Sequence, residues 1–142
     1  PSAMAFSHAD LYCLDPLYSQ YLKAGYPLHF YGNTKFINSY SESIPVDNNF
    51  FDAIISVNAI DHVDSLEQTA AEIKRVLKTD GQFAMHVHYH RATVTEPIEI
   101  TDERFFSLFN WVSWLKKIKE TRTIMGCSLL DNNERYVLWK NF

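Results

Sequence analysis

The sequence predicts an open α/β sheet whose strands are mostly parallel and whose last two strands form an antiparallel hairpin. Short apolar runs alternate with segments of helical periodicity, and the run at residues 54–57 has the nearly continuous apolar character of a strand inside a parallel sheet. Residues 114–123 and 135–140 are strand-like on either side of a polar turn. Because 142 residues is the length of one domain, we expect residues 1–142 to form a single domain.

The composition excludes several classes of protein. Apolar residues make up 46% of the chain, enough to fill a core, so disorder throughout is excluded. The 13 basic and 17 acidic side chains give a net charge of −4, which argues against binding to nucleic acid. No apolar stretch approaches the ~20 residues of a membrane span. With no leader-like segment and only two cysteines, Cys13 and Cys127, we expect a cytoplasmic protein without a disulfide framework.

The first two elements are a strand and a short helix. Residues 11–14 are apolar and end at Asp15, and Pro16 stands where the first turn of a helix tolerates proline. Gly25 is a suitable stop for that helix. The helix itself is predicted by apolar residues at helical spacing, which are Leu17, Tyr18, Tyr21 and Leu22.

Two further strands precede the clearest helix. Residues 34–38 are strand-like, and we expect the strand at residues 54–57 to be buried on both faces. Ser65 and Gln68 then have the spacing of a capping box. A helix that packs one face on the sheet is predicted by a stripe of apolar residues, which are Leu66, Ala70, Ile73 and Leu77.

The chain then returns to the sheet and leaves it again. Asp80 and Gly81 predict a turn, and residues 82–88 predict a fourth strand. A long connection follows, and a helix is expected to begin near Thr101 or Asp102. Long connections often carry function, so this one is a candidate part of the site.

Ligands of open α/β sheets bind beyond the carboxyl ends of the strands. Asp15 is the most informative residue there, because a carboxylate directly after the second strand of a nucleotide-binding unit accepts both ribose hydroxyls. Asp15 is equally suited to cap the helix that starts at Pro16, and the two roles are compatible. The other strand ends fall at residues 40–43, at residues 58–62 and at Tyr89 with His90.

Residues 41–83 carry a specific series of motifs. An acid and a proline precede a strand that starts with Phe-Asp and ends near Asn, followed by His-Val and by a helix ending Arg-Val-Leu-Lys before Gly. This series resembles the central part of class I S-adenosylmethionine-dependent methyltransferases, specifically the type 11 group. The residues that match are Glu42, Pro45, Phe51, Asp52, Asn58, His62, Val63, Arg75, Val76, Leu77, Lys78 and Gly81.

The resemblance implies a fold, a cofactor and a reaction. The fold is a Rossmann-like three-layer open sheet, and the cofactor is S-adenosylmethionine. The reaction is direct displacement of the sulfonium methyl by a small-molecule acceptor, which mainly requires alignment and exclusion of water. The resemblance assigns the cofactor contacts to Asp15, Pro16, Leu17, Tyr40, Ser41, Glu42, Asn58 and Ala59. Tyr40 and Ser41 stand where the family often has an acid followed by a small residue.

The first strand and glycine loop of the family have no counterpart in these residues. The glycines are isolated, so none of them forms a nucleotide cradle: Gly25, Gly32, Gly81 and Gly126. The resemblance places the absent strand between the second and fourth strands of the sheet, upstream of Pro1. We therefore expect an incomplete domain with a gap in its sheet. That gap leaves backbone groups unpaired, lets the flanking strands meet, or is covered by another chain such as a second copy.

Histidines near the predicted cleft are candidate general bases. His62 and His90 rank first, ahead of His88 and Asp61. The alternative for each histidine is a hydrogen-bonded side chain that shapes the wall of the cleft. His86, His88 and His90 form an HxHxH pattern on one strand face. Side chains two residues apart on a straight strand are separated by ~7 Å, so we expect no metal there.

Three functions are consistent with these residues. The leading one is a small-molecule methyltransferase, inactive alone if the absent glycine loop is essential. The second is a non-catalytic relative, or a domain completed by another chain. The third is another nucleotide-dependent enzyme such as a dehydrogenase, which Asp15 alone permits but residues 58–81 do not favour.

Overall fold

The computed structural model describes residues 8–89, 91–111, 114–121 and 133–140, with side chains described for residues 8–87 and 91–111. The strands are β1 (Tyr12–Leu14), β2 (Lys35–Ile37), β3 (Phe51–Val57), β4 (Leu77–Tyr89), β5 (Trp114–Thr121) and β6 (Asn133–Lys140). The helices are α1 (Tyr18–Lys23), α2 (Leu66–Val76) and α3 (Asp102–Leu108), with a 3-10 helix at Leu28–Tyr31. The predicted order of strands and helices is confirmed. The turn predicted between the last two strands lies outside the described residues.

The described strands form two sheets rather than one. β1 pairs with β2 in parallel, and the second sheet has the order β3-β4-β6-β5. In that sheet β3 and β4 are parallel, whereas β6 is antiparallel to both β4 and β5. Neither β1 nor β3 has a second strand partner among the described residues. The expected gap therefore separates β1 from β3.

The core lies against one face of β4. Phe83, Met85 and Val87 alternate along that strand and are buried together with side chains from α2 and α3. Phe105 and Phe109 stack with their ring centroids 4.5 Å apart, and Phe109 stacks on Phe83 at 5.3 Å. Aromatic side chains of this size bury large areas and contribute strongly to the stability of a core. The α2 side chains that complete this cluster are Leu66, Ala70 and Ile73.

The prediction that β3 is buried on both faces is wrong. Ile54 is paired with Phe83 in the sheet and packs against the core. Ile55 and Val57 lie on the opposite face and are 45% and 47% exposed. β3 is the outer strand of its sheet, and the core cluster that contains α2 and α3 lies on the Phe83 face. Within the described residues, no helix covers Ile55 and Val57 as a full three-layer arrangement would.

The Ser65 cap of α2 is confirmed, but Ser65 N donates to Glu42 Oε1 instead of to the Gln68 side chain, and the end of the helix differs from the prediction. Ser65 Oγ accepts a hydrogen bond from Gln68 N at 3.2 Å. The helix ends at Val76 and β4 begins at Leu77, so no separate turn forms at Asp80 and Gly81. The extra residues are absorbed by a register shift against β3. A Cβ at position 81 would lie 2.9 Å from the backbone oxygen of Lys78 and 2.7 Å from Leu77 Cδ1, so this close approach requires glycine.

One arginine of α2 binds the segment that leads into β3. The guanidinium of Arg75 donates to the carbonyl oxygens of Ile44 and Val46, both at 2.7 Å, and to Asn48 Oδ1 at 3.1 Å. It also forms a two-point ion pair with Glu72, whose Oε2 accepts from Ile44 N. This ion pair lowers the pKa of Glu72 against the opposing effect of burial. The loop before β3 therefore has a fixed path.

Candidate functional site

The carboxyl ends of β1, β2 and β3 meet at one edge of the molecule. Asp15 N donates to Ile37 O at 3.0 Å, which joins the ends of the parallel strands β1 and β2. The loop after β2 reaches the beginning of α2, where Ser41 Oγ lies 3.0 Å from Thr69 Oγ1. Since α2 follows the loop at the end of β3, these hydrogen bonds bring the three strand ends to the same side of the molecule.

Asp15 forms a turn with the start of α1. Its Oδ1 accepts a hydrogen bond from Leu17 N at 2.8 Å, which is the capping interaction considered from the sequence. Pro16 and Leu17 are exposed beside it. Asp15 Oδ2 accepts no hydrogen bond from the side chains and backbone that the structure describes. One carboxylate oxygen is thus used by the fold.

Glu42 connects the loop after β2 to the turn before α2. Its Oε1 accepts from Asp64 N at 2.7 Å and from Ser65 N at 3.0 Å, and Ser41 Oγ lies 3.3 Å from Oε2. Burial disfavours the carboxylate, but the N–H donors and the hydroxyl outweigh it, so the pKa of Glu42 is lowered. Tyr40, two residues earlier, is exposed. Sequence reasoning did not identify this cross-link, because the partners are more than twenty residues away along the chain.

The end of β3 has an unusual backbone conformation. Asn58 has a φ of 47°, in the left-handed region, and its N donates to His86 O at 2.8 Å. Asparagine tolerates this conformation better than most residues, and such positions are enriched at functional sites. Ala59 O then accepts from His62 N at 3.1 Å, closing a turn that carries His62 beyond the sheet edge.

His62 lies between a buried carboxylate and the long connection before α3. Its Nδ1 is 2.9 Å from Thr95 O, so Nδ1 is the protonated nitrogen and donates to that carbonyl. Its Nε2 lies 4.0 Å from Oδ2 of Asp61, whose side chain is fully buried, and 3.9 Å from Oε1 of Glu96. These three side chains are also the group of described residues whose chemistry suits a cation.

A turn at residues 93–96 and a backbone hydrogen bond to Asp61 hold the long connection before α3 next to His62. Thr93 N donates to Glu96 O at 2.9 Å, and Glu96 N donates to Thr93 Oγ1 at 3.0 Å. Ile98 N donates to Asp61 O at 3.2 Å. Sequence reasoning missed Thr95 and Glu96. The only local signal was the Thr-x-x-Glu spacing at positions 93 and 96, which resembles a capping box without a helix behind it.

The remaining histidines of the candidate set are not tested by these contacts. His90 lies outside the described residues, and the side chain of His88 does too. His86 is half-buried on β4, opposite Val57 of β3.

No helix in the described part of the chain has both the length and the apolarity to cross a membrane.

The fold and its strand ends are typical of an α/β domain that binds a ligand beyond the carboxyl ends of its strands. Comparison with protein families identifies the family to which the chain belongs. A family profile described as "Methyltransferase domain", the type 11 group, matches residues 2–85, more than half of the chain. The chain therefore belongs to the type 11 methyltransferase domain family, whose cofactor is S-adenosylmethionine. No curated protein sequence matches the chain.

Solved structures share the fold. YcgJ from Bacillus subtilis superposes with a TM-score of 0.71 at 22% identity, covering 84% of this chain and 61% of its own length. A SAM-dependent methyltransferase from Thermotoga maritima gives 0.67 at 12% identity, covering 91% and 72%. A chain from the Haloferax volcanii complex of a methyltransferase with its activator Trm112 gives 0.65 at 13%, covering 99% and 87%. The predicted Rossmann-like α/β class is confirmed, and the chain spans less than two thirds of YcgJ.

Proposed function

We propose that this protein transfers the methyl group of S-adenosylmethionine to a small-molecule acceptor. The observation that supports this most directly is the meeting of the β1, β2 and β3 ends at one edge. Asp15, Glu42 and Asn58 all belong to that edge. In a domain of this family, strand ends of this kind are where an adenosyl group would lie. The alternative of a nicotinamide-dependent enzyme has no comparable support beyond Asp15.

The cofactor is proposed to lie across these strand ends. Asp15 Oδ2 is the acceptor offered to the ribose hydroxyls, while Oδ1 keeps its bond to Leu17 N. Asn58 and Ala59 form the wall at the end of β3. Tyr40, Ser41 and Glu42 form the opposite wall, in which Glu42 acts by fixing the loop. Pro16 and Leu17 complete the proposed contact set after β1.

Methyl transfer from S-adenosylmethionine would require little acid–base catalysis from the protein. The cofactor supplies a methyl group on a positively charged sulfur that leaves as a neutral thioether. His62 is the proposed general base, because Thr95 fixes its tautomer and leaves Nε2 able to accept a proton. His90 is proposed as a second base from its position after β4. The rest of the work is alignment of the acceptor and exclusion of water.

Calorimetric titration with S-adenosylhomocysteine tests the proposal. The sharpest variant is Asp15→Asn, since the amide oxygen retains the turn to Leu17 N while an NH₂ group replaces the second acceptor. We expect at least a tenfold weaker affinity, from the loss of charge-assisted hydrogen bonds, with unchanged stability. Asp47→Asn, at an exposed acid away from the strand ends, is the matched control and should bind as the parent does.

Two results would contradict the proposal. A folded protein that does not bind S-adenosylhomocysteine would favour the non-catalytic alternative. Saturable binding of a nicotinamide dinucleotide in its place would favour the dehydrogenase alternative. Equal affinity of Asp15→Asn and the parent would remove Asp15 from the cofactor contacts.

A domain completed by a second chain is the other candidate. The observation that favours it is the open edge of β3, with Ile55 and Val57 exposed on one face. Neither β1 nor β3 has a second strand partner among the described residues. A second copy that covers this gap would make the protein an oligomer and shield both side chains. Sedimentation of the parent and of Val57→Asp tests this. Loss of the larger species in the variant alone would support it, and a monomeric parent would exclude the second copy.

A further inference from the structure

Asn38 is the first residue after β2, and its side chain bonds to the start of α1. Its Oδ1 accepts a hydrogen bond from Ser19 N at 2.9 Å. Asp15, the first residue after β1, bonds to the same turn, since its Oδ1 accepts from Leu17 N at 2.8 Å. Two polar side chains from neighbouring strand ends therefore meet at one turn of the chain. The residues that the family resemblance assigns to the cofactor include Asp15 but not Asn38.

Two observations show that Asp15 and Asn38 are neighbours. The parallel strands β1 and β2 pair Leu14 with Ile37, and Asp15 N donates to Ile37 O at 3.0 Å. Adjacent strands are roughly 4.8 Å apart, so the residues that follow a registered pair stay close together. In addition, amide nitrogens two positions apart in a helical turn are roughly 4–5 Å from each other, and the two Oδ1 atoms bind such a pair. The carboxylate and the carboxamide therefore lie side by side.

Each of these two side chains keeps one polar group outside the bonds to α1. Ser19 N is a donor, so the atom that it contacts is the amide oxygen of Asn38, and the other atom is the NH₂ group. Neither this NH₂ group nor Asp15 Oδ2 has a hydrogen bond to the side chains and backbone that the structure describes. Asn38 is exposed and Asp15 is half-buried, so a ligand can reach this edge. The pair therefore offers one acceptor beside one donor.

A hydroxyl group suits such a pair best. A hydroxyl both donates and accepts hydrogen bonds, whereas an ionised phosphate only accepts and an ammonium group only donates. The two adjacent hydroxyls of a ribose can donate to a carboxylate and accept from an amide at the same time. The backbone N–H groups of Leu17 and Ser19 are already bonded, so the side chains of Asp15 and Asn38 supply the contacts.

We propose that Asn38 is a further cofactor-binding residue, whose NH₂ group donates to a ribose hydroxyl oxygen while Asp15 Oδ2 accepts from a ribose hydroxyl. This inference rests on the proposed function and deepens it by naming a residue that determines specificity for the sugar. A sugar that lacks the hydroxyl leaves polar groups of the site unpaired in the complex, which is costly. The pair therefore selects ribose over deoxyribose.

A purely structural role for Asn38 makes a different prediction. Capping of Ser19 N requires only an acceptor oxygen, which aspartate supplies as well as asparagine does. Donation to a hydroxyl oxygen requires the NH₂ group, which aspartate lacks. The substitution Asn38→Asp therefore keeps the structural contact and removes the proposed one.

Calorimetric titration of Asn38→Asp with S-adenosylhomocysteine tests the inference. We expect an affinity roughly five- to thirtyfold weaker than the parent's, because a donor is lost beside the Asp15 carboxylate, with a similar free energy of unfolding. Asn33→Asp makes the same change at an exposed position before β2 and should bind as the parent does. Equal affinity of Asn38→Asp and the parent overturns this inference alone, whereas a parent that does not bind S-adenosylhomocysteine refutes the proposed function as well.

The 2′-deoxy and 3′-deoxy forms of S-adenosylhomocysteine identify the group that Asn38 contacts. The parent should bind one or both of them roughly tenfold more weakly than the ribose form. For the form that lacks the contacted hydroxyl, the difference in affinity between the parent and Asn38→Asp should largely disappear, because the interaction that couples them is absent. An equal loss of affinity in Asn38→Asp for all three ligands would overturn the ribose contact. A loss of affinity that accompanies a large loss of stability would make Asn38 a structural cap only.

Discussion

Residues 60–109 and residues 8–43 differ in how they are stabilised. The first region contains buried side chains from the β3–α2 loop, α2, β4 and α3, and its aromatic rings stack on one another. In the second region, which contains β1, α1 and β2, no side chain is buried. Its main apolar contact is the stacking of Tyr18 on Phe36 at 4.6 Å. One half of the proposed cofactor site therefore lies beside a buried core, whereas the other half has no buried side chains.

This division has a functional consequence. Asp15 belongs to the region without a core, whereas Asn58 lies just before the core region and His62 lies within it. The two are joined by Glu42, by the pair Ser41 and Thr69, and by ring contacts of Tyr12 with the start of β3. Regions with few buried apolar contacts open at low free-energy cost. We therefore expect cofactor binding to stabilise residues 8–43 more than residues 60–109.

The largest effect is expected from truncating the core. Phe105→Ala should lower the free energy of unfolding by about 3–5 kcal/mol, because a fully buried ring is lost and a cavity remains. Phe36→Ala, in the region without a core, should cost about 1–2 kcal/mol, since its ring is only partly buried. Urea unfolding followed by circular dichroism measures both. Equal losses would show that the two regions share one core.

The second largest loss in the free energy of unfolding is expected from removing Arg75, which links the loop before β3 to α2. Arg75→Ala removes hydrogen bonds to two backbone carbonyls, to Asn48 and to Glu72, and should lower the free energy of unfolding by less than Phe105→Ala does. Arg75→Lys should restore little, because an ammonium cannot reproduce the planar set of donors. Lys74→Ala, at the adjacent exposed position, is the control in the same unfolding measurement. A full rescue by lysine would refute the role of the guanidinium geometry.

Glu42→Gln should cost about 1 kcal/mol at neutral pH, by weakening the bonds from Asp64 N and Ser65 N. Burial alone would raise the pKa of Glu42, but these donors lower it below its ordinary 4.5. The stabilisation by a carboxylate with a lowered pKa is present above pH 4.5 and is lost as the pH falls through the folded-state pKa.

The pH dependence gives a direct check of that effect. The unfolding free energies of the parent and of Glu42→Gln should differ most at neutral pH and converge as the pH falls below 4.5. Glu99→Gln, at an exposed acid, serves as the control. A difference between parent and Glu42→Gln that stays constant from neutral to acid pH would mean that ionisation of Glu42 does not tie the two regions together.

The smallest effect is expected on the uncovered face of β3. Ile55→Ala should change the free energy of unfolding by about 0.5 kcal/mol, because the side chain is 45% exposed. Ile54→Ala, one position away and packed on the core, should cost several times more. Thermal unfolding at several protein concentrations measures both. A large, concentration-dependent loss in Ile55→Ala would mean that another chain covers this face.

Local signals in the sequence predicted much of the fold. The caps at Ser65 and Thr101 are formed as expected, since a cap depends on residues three positions apart. The order of strands and the antiparallel ending also agree with the periodicity. The burial of β3 could not be predicted in the same way, because apolar character does not reveal whether anything covers a face. Likewise, nothing local indicated that Thr95 would contact His62, 33 residues earlier.

By itself, the sequence determined the identity and order of the elements and the family to which the chain belongs, because periodicity, caps and short motifs act over a few neighbouring residues. Only the tertiary structure decided that the strands divide into two sheets, that Glu42 joins the loop after β2 to the turn before α2, and that Asp61, His62 and Glu96 lie close together. Those features depend on contacts between segments distant along the chain, and such contacts are set by how sheets, helices and connections pack together.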